Sequence, residues 1–305
     1  MQELASVKLA FDLELSAPVI LETRPEDGWC FGRPPSISAA LWPISPVYGT
    51  PLRHAFTLRL PEFYRTQGEE FVAISLFVDE MFEESELEPA PASNSSFSSM
   101  DTNKLKRFDM ERWGFHFTLF WLTEEKFKGP LGMPPVIDQK SNTPGWLRKS
   151  PLDYFGRDNL PSSALHRPRQ SGNAPGAFAL QELMASEQPP SGWATLSAID
   201  ALNHGFPICV SVREGDPNVG RKPSDDADEN AQSGYIPIYS DAEGAADLER
   251  FAEFDAHLGG TMLPMQSYPD MSPFYLEFQD TFGGFAFGGG TAQLDLKNMR
   301  IEWAS

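Results

Sequence analysis

Val7-Lys8-Leu9-Ala10-Phe11-Asp12-Leu13-Glu14-Leu15 decides how the rest of the chain is read. Val7, Leu9, Phe11, Leu13 and Leu15 alternate with Lys8, Ala10, Asp12 and Glu14. A strand sends successive side chains to opposite faces, so this period of two predicts a strand with one buried face. Phe56, Leu58 and Leu60 repeat the pattern against Thr57 and Arg59. Residues 71–78 are apolar on both faces, as a central strand requires, and Trp113, Phe115, Phe117, Leu119 and Trp121 give residues 113–122 an aromatic face. Residues 208–212, 235–239, 274–278, 292–296 and 299–303 read as further strands. Together they predict an α+β fold that is β-rich and mostly antiparallel, with a few short helices, arranged as one large domain or as two related halves.

The intervening segments set the organisation. Residues 83–104 combine four glutamates with a Pro/Ala/Ser/Asn run too polar to offset the entropy of ordering, which predicts a loop. Eight prolines between residues 128 and 176 oppose helix interiors and central strands alike. The expected layout is therefore an N-terminal half, 1–127, an irregular connection, 128–177, and a C-terminal half, 178–305, packed as one unit. Trp193, Leu196, Ile199 and Leu202 predict a short amphipathic helix capped by Gly205. Leu248, Phe251, Phe254 or Asp255, and Leu258 predict another over residues 245–258, ending at Gly259-Gly260 and placing His257 in its last turn. The acidic stretch 213–234 reads as a loop.

Composition narrows the function classes. A chain of 305 residues with 41% apolar content can bury a sizeable core. Its longest apolar runs fall far short of the roughly 20 residues of a membrane-spanning helix. The N-terminal residues lack the basic flank, apolar run and cleavage site of a secretory signal, so a cytoplasmic location is expected. Two cysteines, Cys30 and Cys209, are too few for a disulfide framework and read as buried free thiols. A net charge of -19 repels phosphate backbones and anionic lipid, and no basic patch offsets it. The same charge speeds encounter with a basic protein and also serves solubility.

Catalytic signatures are missing. Gly283 to Gly290 is glycine-rich, but no Lys-Ser or Lys-Thr follows and the sequence continues as a strand, so a turn is expected rather than a phosphate loop. His54, His116, His166, His204 and His257 form no paired metal-ligand spacing. There is no Gly-x-Ser-x-Gly elbow, and Cys30 between Trp29 and Phe31 reads as an apolar core residue. Asp225, Asp226, Asp228 and Glu229 lack the glycine and terminal glutamate of a calcium loop. No catalytic residue, metal or cofactor is assigned.

Several short motifs carry a resemblance. Trp42-Pro43, Gly49-Thr50-Pro51-Leu52 and the strand from His54 to Leu60, then residues 71–79, resemble segments of the YwqG-like bacterial proteins, a family defined by a domain of unknown function. His257-Leu-Gly-Gly260 with Pro264-Met265-Gln266, residues 274–278 and Phe287-Gly-Gly-Gly-Thr291 are similar to its C-terminal segments. Thr57 and Glu277 stand where the family often has glutamine, and Gly289 where it usually has aspartate. The resemblance implies a β-rich α+β fold without an assigned activity, and admits an immunity role because such families often lie beside polymorphic toxins.

The leading expectation is a non-enzymatic protein-binding protein, an immunity protein that neutralises a basic toxin domain by direct contact through Asp216, Asp225, Asp226, Asp228 and Glu229. The alternative is a small-molecule binder or enzyme with a pocket between the halves, near Gly259, Gly260, Gln266 and Gly289. A scaffold subunit is the third reading. Neither nucleic acid nor membrane is expected as a partner.

Overall fold

Alternating apolar and polar residues can bury one face only by pairing into a sheet, and the chain does so along most of its length. A computed structural model describes residues 7–81, 101–102, 104–136, 143–165, 192–238, 245–251 and 254–305. Its strands are β1 (Phe11–Leu15), β2 (Val19–Ile20), β3 (Gly28–Cys30), β4 (Arg53–Arg59), β5 (Phe71–Val78), β6 (Asp101–Thr102), β7 (Leu105–Arg112), β8 (Phe115–Thr123), β9 (His204–Val212), β10 (Ala256–Leu258), β11 (Tyr275–Gln279), β12 (Thr291–Asp295) and β13 (Arg300–Ala304). They form one antiparallel sheet in the order β13-β12-β11-β10-β1-β9-β3-β4-β5-β8-β7-β6, with β2 pairing β9 off this path. Phe11 faces both Leu258 and Val212, so β1 lies among strands from the far end of the chain. The sheet thus runs unbroken through both expected halves.

Twist curls this sheet into a nearly closed barrel. Side chains make the seam between β13 and β7: Arg112 pairs with Glu302 at 2.6 Å, and Phe115 lies 6.2 Å from Trp303 between ring centroids. Inside, Phe56 on β4 meets Phe278 on β11 at 5.7 Å and Phe282 at 5.3 Å. Buried aromatic side chains of this size each contribute about 2–3 kcal/mol by leaving water.

The turn after β11 completes that core. Gly283, Gly284, Gly288 and Gly289 all adopt positive φ, and the turn folds Phe282, Phe285 and Phe287 inward, each buried. The Asp280 carboxylate accepts from the Phe287 amide at 2.6 Å and the Gly289 amide at 2.7 Å. Those amides are engaged within the turn, in keeping with a structural turn rather than a phosphate loop.

Helices are few and short. The two expected helices are altered for a common reason, strand pairing that a local pattern does not contain. Residues 245–258 divide into a 3-10 helix, Ala245–Phe251, and strand β10, whose His257 pairs with Glu277 on β11 instead of closing a helix. Residues 193–202 contain only the helix Ala198–Ala201, and Gly205 is taken into β9 as the partner of Val19. Residues 235–238, expected as strand, are irregular, and the expected acidic loop contains the helix Ala227–Ser233. Cys209 is exposed, whereas Cys30 is buried and burial pushes its thiol well up. Of the loop predicted over 83–104, residues 83–100 and 103 lie outside the described residues and 101–102 form β6; residues 166–191, the end of the expected connection and the start of the C-terminal half, also lie outside them.

Candidate functional site

Four of the five acidic residues expected at a contact surface stand together in the open. Asp225, Asp226, Asp228 and Glu229 are exposed at the start of Ala227–Ser233. Asp226 caps this helix, its Oδ1 accepting from the amides of Asp228 and Glu229, both at 2.9 Å. Gly234, with φ of 72°, ends it. The helix buries no residue, so no apolar face anchors it. Lys222 lies 3.5 Å from Glu229 and 2.9 Å from Asp270, holding the latter carboxyl below its usual range.

Asp216 departs from this group and is a correction to the sequence reading. Its side chain is fully buried, accepting from the Thr261 amide at 2.7 Å, the Thr261 hydroxyl at 2.9 Å and the Asn218 amide at 2.8 Å. The fully buried Arg213 lies 3.7 Å away and donates its Nε proton to Asp12. Asp12 belongs to the polar side of the opening alternation, yet it is buried because Arg213 arrives from β9's end to neutralise it. Asp216 therefore cannot reach a partner.

The four residues expected at a pocket, Gly259, Gly260, Gln266 and Gly289, divide between buried and exposed positions. Gly259 and Gly260 are buried, and a Cβ there would overlap the Tyr64 hydroxyl and the Asp216 carboxylate respectively. Gln266 is exposed and donates to the Ser305 carbonyl at 2.9 Å, while Gly289 is an exposed turn residue. These glycines serve close packing and a turn.

Sequence reading missed the polar interior. His257 Nε2 faces Glu277 Oε1 at 3.0 Å and its Nδ1 faces the Gly259 carbonyl at 2.9 Å. Glu277 also accepts from the Leu263 amide and from Gln293 Nε2 at 3.0 Å, so its charge is satisfied on several sides. On β4, His54 Nδ1 lies 3.2 and 3.1 Å from the carbonyls of Phe31 and Gly32, which fixes the proton there. Its Nε2 then accepts from the Thr57 hydroxyl at 2.9 Å, and Thr57 lies 2.7 Å from Ser75 Oγ. Burial pulls the His54 imidazole from 6.5 down to about 4, keeping it neutral.

Arg53, next in the strand, donates to the carbonyls of Gly283 at 2.6 Å and Gly284 at 2.5 Å, tying β4 to the glycine turn. The Phe155 ring centroid lies 4.9 Å from its guanidinium carbon. Glu80 and Tyr154 attend the same cation, with burial pushing both their acid groups up. Beside it is a cavity of about 40 Å³ walled by Phe31, Trp146, Tyr154, Phe155 and Trp193 and reached by Lys149. Only the alternation break at Arg53-His54, two polar residues opening a buried strand, signals this in sequence.

Among the described residues no group of three or more His, Cys, Asp or Glu side chains is placed to hold a metal ion, and no helix is long and apolar enough to cross a membrane. No family model, no curated protein and no solved structure matches the chain.

Proposed function

We propose that this is a non-enzymatic protein-binding protein whose acidic surface captures a basic protein partner, in the manner of an immunity protein occluding a toxin domain. The observation that carries the reading is the Ala227–Ser233 helix, which buries nothing and presents Asp225, Asp226, Asp228 and Glu229 on a chain of net charge -19. Clustered like charge with little local neutralisation raises the encounter rate with an oppositely charged protein and disfavours acidic competitors. The short motifs resembling YwqG-like proteins support the immunity form of this reading. The internal engagement of His54, Glu277, Asp216 and Arg213 supports a structural rather than catalytic use of those groups.

The test is a pull-down of tagged protein from cells that naturally make it, at low and high salt, followed by association kinetics with the captured protein. The variant carries Asp225→Asn, Asp226→Asn, Asp228→Asn and Glu229→Gln together; asparagine keeps the helix cap. A basic partner is expected, released by salt, with association slowed about tenfold or more in the variant at low ionic strength. An unchanged association rate, or a partner that is acidic and insensitive to salt, overturns the proposal.

A further inference from the structure

A second site, independent of the acidic surface, lies at the end of β3 and β4. Trp193, 5% exposed, walls the cavity described above, and its Nε1 hydrogen meets no acceptor among the described residues. A buried donor left unpaired is costly, so one beside a cavity calls for an acceptor inside it. Phe31, in the same wall, is buried with φ of 63°, a conformation that bulky residues rarely adopt. His54 Nδ1 holds that backbone through the carbonyls of Phe31 and Gly32, and the Phe31 ring stands 5.3 Å from Trp193 and 5.2 Å from Phe155. Strain of this kind persists where a fold shapes a site, and here it shapes an aromatic wall.

The charges nearby are already balanced. Arg53 donates to the Gly283 and Gly284 carbonyls, is hydrogen-bonded with Tyr154 and is offset by the buried Glu80 carboxylate, while Lys149 has a partner of its own. His54 is neutral. An ion entering here would shed its water without gaining a counter-charge, so the site selects an uncharged occupant. Rings around an unpaired donor favour an apolar body that carries one acceptor. At about 40 Å³ the space equals that of a few waters, which limits the occupant to a handful of heavy atoms.

We infer that this cavity binds a small uncharged ketone, its oxygen accepting from Trp193 Nε1 and its alkyl groups lying against the rings of Phe31 and Phe155. A three- or four-carbon ketone has that size. A carboxylate would bury a charge that no group in the wall is free to answer, and an alcohol would bring a hydroxyl proton that needs an acceptor of its own.

The experiment titrates the full chain with butanone and follows the indole Nε1–H resonances by nitrogen–proton NMR. Trp193→Phe assigns the Trp193 resonance and keeps an aromatic ring in the wall while removing the donor. Butanone is expected to shift that resonance saturably, and propionate is expected to leave it in place. Carbon-13 butanone is expected to bind Trp193→Phe about fivefold more weakly than the parent, as the loss of one neutral hydrogen bond implies. The alkene of the same shape, in which a methylene replaces the oxygen, is expected to bind the two proteins alike, since it has no acceptor to lose. No saturable shift with butanone, equal binding of propionate, or an alkene that loses as much as butanone in Trp193→Phe overturns the site. A crystal of the parent soaked in butanone tests it without any substitution: the ketone oxygen is expected on Trp193 Nε1, and water alone there overturns the inference.

Discussion

At the scale of single residues, the interior is decided by which polar groups find partners. Arg53 donates to two turn carbonyls, and its charge offsets part of the cost of burying Glu80. Arg53→Met is expected to cost about 3 kcal/mol or more, through two stranded carbonyls and a stranded acid, as measured by urea unfolding. His54 gives a pH dependence whose sign is fixed. Its pKa falls from 6.5 in the unfolded chain to about 4 in the fold, so between those values the unfolded state binds more protons. Its contribution is complete above pH 6.5 and is lost as pH falls toward 4, reaching about 3 kcal/mol. Burial raises the Asp79, Glu80, Asp255 and Asp280 carboxyls, which act in the opposite sense over acidic pH. The check is therefore a difference: unfolding free energy from pH 4 to 8 for the parent minus that for His54→Gln should rise with pH, and a flat difference would refute the assignment. None of these partnerships was legible in sequence, since Arg53 and Gly283 are joined only by the fold.

At the scale of elements, patterns that involve one segment were readable and patterns that involve two were not. The central strand β5 and the aromatic strand β8 follow from their own side chains, and the glycine turn from its own glycines. That turn supports a graded prediction. At Gly284, with φ of 69°, a Cβ would lie 2.6 Å from the Phe155 ring and 2.7 Å from that of Phe31, so Gly284→Ala combines backbone strain with overpacking and should cost about 2–4 kcal/mol. At Gly289, with φ of 81°, the same methyl meets open space, and Gly289→Ala should cost about 1 kcal/mol from the backbone alone. Thermal unfolding of the two variants checks the order. The acidic cluster was legible for Asp225, Asp226, Asp228 and Glu229 because an exposed charge run needs no partner to be recognised. Asp216 was misread because Arg213, Thr261 and Asn218 lie around it only after folding.

At the scale of the whole molecule, curvature brings β13 back to β7, and the seam rests on packing more than on charge. Trp303 touches Phe287 at 5.2 Å and Phe115 at 6.2 Å, whereas the Arg112–Glu302 pair is partly exposed. Trp303→Ala is expected to destabilise by about 2 kcal/mol or more, and Glu302→Gln by under about 1 kcal/mol, in urea unfolding. By itself the sequence determined a β-rich antiparallel protein with an acidic exterior, because alternation and net charge are properties of residues near one another in the chain. Only the tertiary structure decided that β1 joins strands from the other end, that the sheet nearly closes, and that Arg53 and Trp193 share a cavity. Those depend on strand order and on contacts between distant segments, and no local period encodes which distant segment will arrive.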